Sequence, residues 1–207
     1  MKRIDDIIKR LEELYPEAEC SLDYVDPLQL LISTQLAAQC TDARVNLVTP
    51  SLFARYPDAK AFAEADVHEL EELIKSTGFY HNKAKNIIAC CQRLCEVYDG
   101  QVPGTMEDLL SLAGVGRKTA NLVLGDAFGQ PAVVVDTHCI RLSGRLGLTV
   151  HKEQEKIEKD LRNILPPDKS NDFCHRLVLH GRAVCSARKP KCDRCTLSDI
   201  CPSKGKA

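Results

Sequence analysis

The 207-residue sequence contains no tryptophan, and aromatic side chains make up only 5% of it. A core with so few large rings must consist mainly of aliphatic side chains, which suits the packing of helix against helix. No apolar run is long enough to cross a membrane, and no secretory signal follows Met1. An excess of charge of one sign is also missing. The formal net charge is −1, so any attraction of a polyanion must come from a local patch.

Cysteine, in contrast, is abundant, with eleven residues. An odd number of cysteines in a chain without a secretory signal indicates a cytoplasmic protein whose thiols stay reduced. In that compartment, clustered cysteines bind metal more often than they form disulfides. Hydrophobic residues make up 44% of the chain, which favours a packed protein over a disordered one.

Apolar side chains recur at three- and four-residue spacing along nearly the whole chain, as in amphipathic helices. Asp26 before a proline predicts a helix start. Asp66 with Glu69 predicts a capping box, and Gly78 is predicted to close that helix. The only run with strand character, Ala132–Val135, is too short to build a sheet. The sequence therefore predicts an all-α fold.

The segment Leu112–Ala120 interrupts the helical periodicity with Gly114 and Gly116 on either side of one valine. Glycine permits left-handed backbone and the close approach of another chain. A helix is predicted to begin directly after Gly116, and its free N–H groups would offer a site for a backbone phosphate. A corner in which the glycines serve packing alone remains the alternative. We expect the inward face of this helix to carry Ala120, Val123, Leu124, Ala127 and Phe128.

Four cysteines near the C-terminus have the spacing C-x6-C-x2-C-x5-C, and they are Cys185, Cys192, Cys195 and Cys201. Four thiolates this close in sequence can enclose one compact metal centre. The spacing by itself leaves two candidates open, an iron–sulfur cluster and a four-cysteine zinc site. The surrounding sequence is rich in cations and would supply a local phosphate-binding patch. These cations are Arg176, Arg182, Arg188, Lys189, Lys191, Arg194, Lys204 and Lys206.

The run Leu112–Asn121 and the later Val135–His138 resemble the helix–hairpin–helix and the catalytic loop of the endonuclease III family. Together with the cysteine pattern, the resemblance covers essentially the whole chain in the same order. It implies a two-lobed helical glycosylase fold and a [4Fe–4S] cluster on the four cysteines. It also implies an enzyme that removes oxidised pyrimidines from double-stranded DNA and cuts 3′ of the abasic site by β-elimination. One departure is Ala113, where the family usually has proline.

The same resemblance implies that Lys118 is the nucleophile and that Asp136 assists it. The predicted position of Lys118 in the first turn of a helix disfavours an ammonium, and partial burial would act in the same direction. The free amine could then attack C1′ and form a Schiff base. Asp136 is predicted to cap the following helix, to accept the proton of the amine and to stabilise the cationic sugar. For either residue alone, a first-turn lysine or a structural cap is the alternative.

The resemblance further implies that two side chains enter the duplex when the damaged nucleotide is flipped out. One is Gln39, and the other is Phe79, where the family commonly has leucine. A polar residue at a helix end and a core aromatic after a glycine are the respective alternatives. Asp42 matches the pocket region of the family. We expect DNA contacts from Gly114, Gly116, Arg117, Thr119, His138, Arg188, Lys189 and Lys191.

Two lobes are expected, with a cleft between them across which Lys118 and Asp136 face each other. One would span residues 21–131 and hold the hairpin at about 105–129. The other would join residues 1–20 to 132–207 and hold the cluster loop at 185–201. We expect a monomer. A monofunctional mismatch glycosylase and a zinc-containing DNA-binding module are the alternative functions; adenine-specific mismatch enzymes lack the lysine that this chain has.

Overall fold

A computed structural model describes residues 2–206 of the chain, without the side chain of Lys2. Within that range the secondary structure is helical and no strand occurs, as the periodicity predicted. The α-helices are α1 Lys2–Leu14, α2 Pro27–Leu36, α3 Asp42–Arg55, α4 Ala59–Ala63, α5 Val67–Ile74, α6 Tyr80–Val97, α7 Met106–Leu110, α8 Arg117–Leu122, α9 Thr137–Arg145, α10 Gln154–Ile164 and α11 Ser170–Ala183. Short 3₁₀ turns lie at Lys75–Thr77, Pro167–Lys169 and Cys192–Arg194, and a π turn lies at Val123–Ala127.

The chain forms two compact units. One unit is continuous and comprises Cys20–Gly129. The other joins Met1–Glu19 to Gln130–Ala207. In the described part of both units, no helix is long and apolar enough to cross a membrane.

The continuous unit is built around aliphatic side chains, as the scarcity of aromatics predicted. Leu30, Leu31, Leu70, Ile87 and Leu94 are fully buried. Removing each such side chain from water contributes about 1.5–3 kcal/mol to stability. Helix α6 packs against α4, α5 and α2.

Side-chain caps begin several of these helices where the sequence predicted them. The carboxylate of Asp26 accepts the N–H of Gln29 at 2.8 Å and starts α2. Asp66 accepts two N–H groups of α5, but the predicted capping box is wrong in its second half. Glu69 instead accepts two hydrogen bonds from Arg55 at 2.6 and 2.9 Å. A bidentate guanidinium partner competes successfully with a backbone N–H for this carboxylate.

The discontinuous unit packs α11 against α1 and α9. Ile7, Ile8 and Leu11 form the buried face of α1, as their spacing predicted. Arg10 joins α1 to the C-terminal segment, since its guanidinium donates to the carbonyl of Thr196 at 2.8 Å and forms an ion pair with Asp199. The cysteine-rich segment is thereby attached to the first helix of the chain.

Candidate functional site

The hairpin between α7 and α8 has the predicted position and local structure. Helix α8 begins at Arg117, directly after Gly116, so Lys118 is its second residue. Ala120, Val123 and Leu124 are buried as expected, but Ala127 is half-buried and Phe128 is exposed. The prediction for Phe128 was wrong because the helix continues as a π turn over Val123–Ala127. A π turn inserts an extra residue and changes which side chains face the core.

The two glycines of the hairpin differ in backbone conformation. Gly114 has a φ of +74°, in the left-handed region that glycine favours. A Cβ on Gly114 would stand 2.8 Å from Oε1 of the buried Gln35 and 3.0 Å from Cβ of Asn86. Gly116 has an extended backbone with a φ of −99°, and a Cβ there would meet nothing within 4 Å. Packing inside the unit therefore requires glycine at 114, whereas no neighbouring group requires glycine at 116.

Replacing Gly114 with alanine is expected to lower the free energy of unfolding by about 2 kcal/mol, because the left-handed backbone costs an L-residue roughly 1–2 kcal/mol and the new methyl collides with Gln35. The matched substitution Gly144→Ala lies in α9 with open space around its Cβ. It should raise that free energy by roughly 0.5 kcal/mol through the lower flexibility of alanine in the unfolded chain. Denaturant unfolding of the two variants checks the opposite signs, and equal shifts would contradict this account of the turn.

Lys118 is exposed rather than partly buried. It lies in the first turn of α8, as predicted. Burial raises the pKa of the nearby Cys20 thiol to about 12, the carboxylates of Asp126 and Asp42 add to the rise, and Lys118 opposes it. The amine thus shares its surroundings with Cys20 and with two carboxylates of its own unit. Sequence reasoning missed this proximity because Cys20 and Lys118 lie far apart along the chain.

Asp136 caps helix α9, as predicted. One oxygen of its carboxylate accepts the N–H of Cys139 at 2.7 Å. It follows the buried segment Val133–Val135 and precedes a helix whose Leu142 is also buried, so its backbone is held on both sides. The cap contact fixes one carboxylate oxygen, and the half-buried side chain keeps partial access to solvent.

Gln39 and Phe79 share an unusual backbone conformation. Their φ angles are +55° and +50°, in the left-handed region that residues other than glycine rarely adopt. Phe79 is 62% exposed, so it is not a core aromatic. Gln39 is also exposed and lies in a turn after α2 rather than at the helix end. Strained, exposed residues of this kind concentrate at binding and catalytic sites.

The four C-terminal cysteines line one cavity in the discontinuous unit, together with apolar walls that include Leu142, Leu146 and Leu197. Burial raises the pKa of the Cys195 thiol, and the thiols of Cys185, Cys192 and Cys201 add to the rise. Four soft sulfur ligands in an apolar surround fit an iron–sulfur cluster.

Groups outside the cysteine pattern contact these sulfurs. Nε2 of the buried His180 lies 3.3 Å from Sγ of Cys195, and its Nδ1 lies 3.3 Å from the hydroxyl of Tyr15. A guanidinium N–H of Arg145 donates to Sγ of Cys185 at 3.3 Å. Sequence reasoning missed these groups because their partners lie far away along the chain.

Arg141 connects the loop after α11 to His138. Its guanidinium donates to the carbonyl of Cys185 at 3.1 Å and lies 3.1 Å from Nδ1 of His138. A Cβ at Gly181 would stand 2.5 Å from the same Nδ1, so only glycine allows this close approach. His138 is therefore held against the start of the cysteine-rich segment. Sequence reasoning missed this role because the carbonyl partners of Arg141 lie 40 and 44 residues away along the chain.

The structure separates the basic residues of this unit into two groups. Arg188 and Lys189 are exposed, while Lys191 is exposed but donates from Nζ to the carbonyl of Ala183 at 3.1 Å. Arg176 is buried, and its guanidinium donates to the carbonyl of Tyr15 at 3.0 Å. The prediction that Arg176 belongs to a phosphate-binding patch was therefore wrong, because its guanidinium binds the carbonyl of the residue that follows α1.

Comparison with known families decides between the alternatives left open by the sequence. Residues 32–167 match the family model of HhH-GPD superfamily base excision DNA repair proteins. Residues 185–201, from the first to the last of the four C-terminal cysteines, match the iron–sulfur binding domain of endonuclease III. Endonuclease III from a Synechocystis strain is 56% identical over 98% of this chain and 93% of its own length. The chain belongs to the endonuclease III family.

The endonuclease III of Escherichia coli is 41% identical over 99% of this chain and 97% of its own length. A solved structure of a trapped endonuclease III–DNA covalent intermediate is 40% identical, covers 99% of this chain and 97% of its own, and superimposes with a TM-score of 0.95. These relatives confirm the helix–hairpin–helix glycosylase fold and the predicted family.

As a member of the endonuclease III family, this chain is a DNA glycosylase and AP lyase of base excision repair. It carries a [4Fe–4S] cluster, which confirms that prediction and decides against a zinc site. The alternatives of a zinc-containing binding module and of a monofunctional mismatch enzyme are thereby excluded.

Proposed function

We propose that this enzyme removes oxidised pyrimidines from double-stranded DNA and cuts the strand through a Schiff base on Lys118. The observation that carries the proposal is the exposed amine of Lys118 in the first turn of α8, directly behind the hairpin. The relative trapped as a covalent intermediate with DNA, an endonuclease III 40% identical to this chain, supports it. A covalent bond to deoxyribose requires a nucleophile, and Lys118 supplies a primary amine where the family motif places one.

The proposed reaction begins when the free amine of Lys118 attacks C1′ and the damaged base departs with the bonding electrons. Asp136 takes up the proton of the attacking amine and offsets the positive charge that develops on the sugar. Ring opening then leaves an imine, which makes the C2′ proton acidic. Loss of that proton drives β-elimination and breaks the bond to the 3′ phosphate. The hydrogen bond from the N–H of Cys139 fixes the orientation of the Asp136 carboxylate for this proton transfer.

Gln39 and Phe79 are proposed to enter the space that the flipped nucleotide leaves. Both side chains are exposed on turns whose backbone is held in a strained conformation. The amide of Gln39 can hydrogen-bond the unpaired base, and the ring of Phe79 can stack in the opened step. We propose that the aromatic ring serves this purpose where the family commonly has leucine.

Phosphate contacts are proposed from both units. In the continuous unit they come from the backbone at Gly114 and Gly116 and from Arg117 and Thr119 near the start of α8. In the other unit they come from the segment before Cys192 and from the N-terminal turn of α9. These groups are Arg188, Lys189, Lys191 and His138. Such contacts fix the register of the duplex without reading its sequence, and we propose that one monomer suffices for them.

The [4Fe–4S] cluster is proposed to be held by Cys185, Cys192, Cys195 and Cys201. We propose that it keeps the basic segment before Cys192 in a fixed conformation and takes no part in the chemical steps. Replacing Cys195 with serine should remove the brown colour and most of the bound iron. The control Cys95→Ser changes a cysteine of α6 in the other unit and should leave both unchanged. Iron analysis of the two purified variants checks this. Full iron content in Cys195→Ser would contradict the assignment.

Borohydride trapping tests the proposed function directly. Duplexes that each carry one defined lesion are incubated with the enzyme and reductant, and the covalent adduct is resolved on a denaturing gel. Duplexes with an oxidised pyrimidine or an abasic site should yield an adduct, whereas undamaged duplex should yield none. If no damaged duplex gave an adduct, the Schiff-base proposal would be wrong.

A further inference from the structure

Lys83 is a buried cation in the first turns of α6. It is only 6% exposed, although lysine is among the residues least often buried. Its ammonium donates to the carbonyl oxygen of Leu36 at 2.7 Å and to that of Thr77 at 2.8 Å. Burial lowers the pKa of this ammonium, and the nearby Cys40 thiol opposes the shift.

The two carbonyls that Lys83 contacts are the ends of two helical segments. Leu36 is the last residue of α2, and Thr77 is the last residue of the 3₁₀ turn Lys75–Thr77. The last carbonyls of a helix have no partner inside it and carry the negative end of its dipole. A single ammonium with three donors can satisfy both groups at once. Lys83 therefore links two segments that are 41 residues apart in sequence.

The turns that carry the two proposed wedge residues follow directly from these segments. Gln39 comes three residues after Leu36, and Phe79 comes two residues after Thr77. Both wedge residues have left-handed backbones, at φ +55° and +50°. Strained backbone of this kind persists only when its surroundings hold it in place. The ammonium of Lys83 binds the carbonyls of Leu36 and Thr77, the residues that directly precede these two turns.

We propose that Lys83 is a positioning residue that holds the turns of Gln39 and Phe79 at a fixed separation, so that both side chains enter the opened duplex together. This inference rests on the proposed wedge function of those two residues. Lys83 lies beneath the turns and acts through them, not on the DNA. It would matter for opening a paired duplex and much less for a nucleotide that is already unpaired.

The absence of tryptophan from the chain provides a reporter of this link that needs no DNA. A Phe79→Trp protein contains one indole, placed on the turn itself, and its quenching by acrylamide reports the order of that turn. Adding Lys83→Met should increase both the quenching and the rotational freedom of the indole. Adding Lys85→Met, an exposed lysine on the same helix, should change neither. Equal quenching in all three proteins would overturn the inference without touching the proposed function.

The second measurement compares excision from two substrates with native Phe79 in place. One substrate carries the oxidised pyrimidine in a paired duplex, and the other carries it in an unpaired bulge. Because a misplacement of about 1 Å can cost about 100-fold in rate, Lys83→Met should slow excision from the paired duplex by roughly that factor. The rate of excision from the bulge by Lys83→Met should stay within about twofold of that of the unaltered enzyme. The rates of Lys85→Met on both substrates should also stay within about twofold.

An equal loss on both substrates would indicate a general structural role for Lys83 and overturn the inference. A reporter that becomes mobile while excision from paired duplex is unchanged would overturn both the inference and the proposed wedge function. Thermal unfolding and iron content of each holoenzyme establish that the compared proteins are folded. If Lys83→Met does not fold, Lys83→Gln replaces it, since the shorter amide has no charge and cannot link both carbonyls.

Discussion

Lys118→Gln is expected to give no borohydride-trapped adduct and to slow strand cleavage by roughly 10³-fold or more, because the amide cannot form an imine with C1′. Glutamine has a helix propensity close to that of lysine, so α8 should form as before. Lys118 is exposed, and its replacement leaves no cavity and no buried group without a partner. Denaturing gels of the trapped adduct and of the nicked strand measure the two effects.

Binding of damaged duplex should largely survive this change. The phosphate contacts are proposed to be shared among backbone groups of the hairpin and several cations, so the loss of one charge weakens affinity only modestly. Lys85→Gln removes an equal charge from the exposed surface of the same unit and is the matched control. It should trap and cleave like the unaltered enzyme. Unchanged cleavage by Lys118→Gln would show that another group is the nucleophile.

Asp136→Asn is expected to slow base excision by about 10²- to 10⁴-fold, because the amide can neither accept the proton of the amine nor offset the charge on the sugar. Its effect on stability should be only a few tenths of a kcal/mol, since asparagine and aspartate are about equally good N-caps. The cap bond from the N–H of Cys139 can be kept by the amide oxygen. Single-turnover excision and denaturant unfolding, measured on the same preparation, separate catalysis from folding.

The structure offers a matched control for this substitution. Asp26 caps α2 through a hydrogen bond from Gln29 at 2.8 Å, in the same manner as Asp136 caps α9. Asp26→Asn should leave both excision and stability nearly unchanged. Asp136→Ala, in contrast, removes the cap as well and should cost about 1 kcal/mol in addition to the activity. If Asp136→Asn excised bases at the original rate, Asp136 would be a structural cap alone.

The local features of the site could be predicted because each depends on neighbouring residues. Gly116 before a helical run predicts that α8 begins at Arg117, and Asp136 before such a run predicts the cap of α9. Helical periodicity likewise predicts the all-α fold. The resemblance of the motifs to one family supplied the chemistry that periodicity does not contain.

Two of the predictions that were wrong depended on contacts from elsewhere in the chain. The carboxylate of Glu69 accepts hydrogen bonds from Arg55 instead of completing the capping box. The guanidinium of Arg176 is buried where it donates to the carbonyl of Tyr15. The π turn in the continuation of α8 brings Phe128 to the surface. The burial of a single side chain such as Lys118 is likewise set by its surroundings rather than by its place in a helix.

The sequence by itself determined the helices, several of their caps, the glycine at the hairpin and the cysteines that match the iron–sulfur domain, because spacing of a few residues specifies each of these. Only the tertiary structure decided which side chains become buried partners of distant backbone. Lys83 reaches a carbonyl 47 residues away, and Arg141 reaches one 44 residues away. The physical reason is that a buried cation is placed by whichever carbonyls the packed helices leave unsatisfied, and no local pattern shows where those ends will meet.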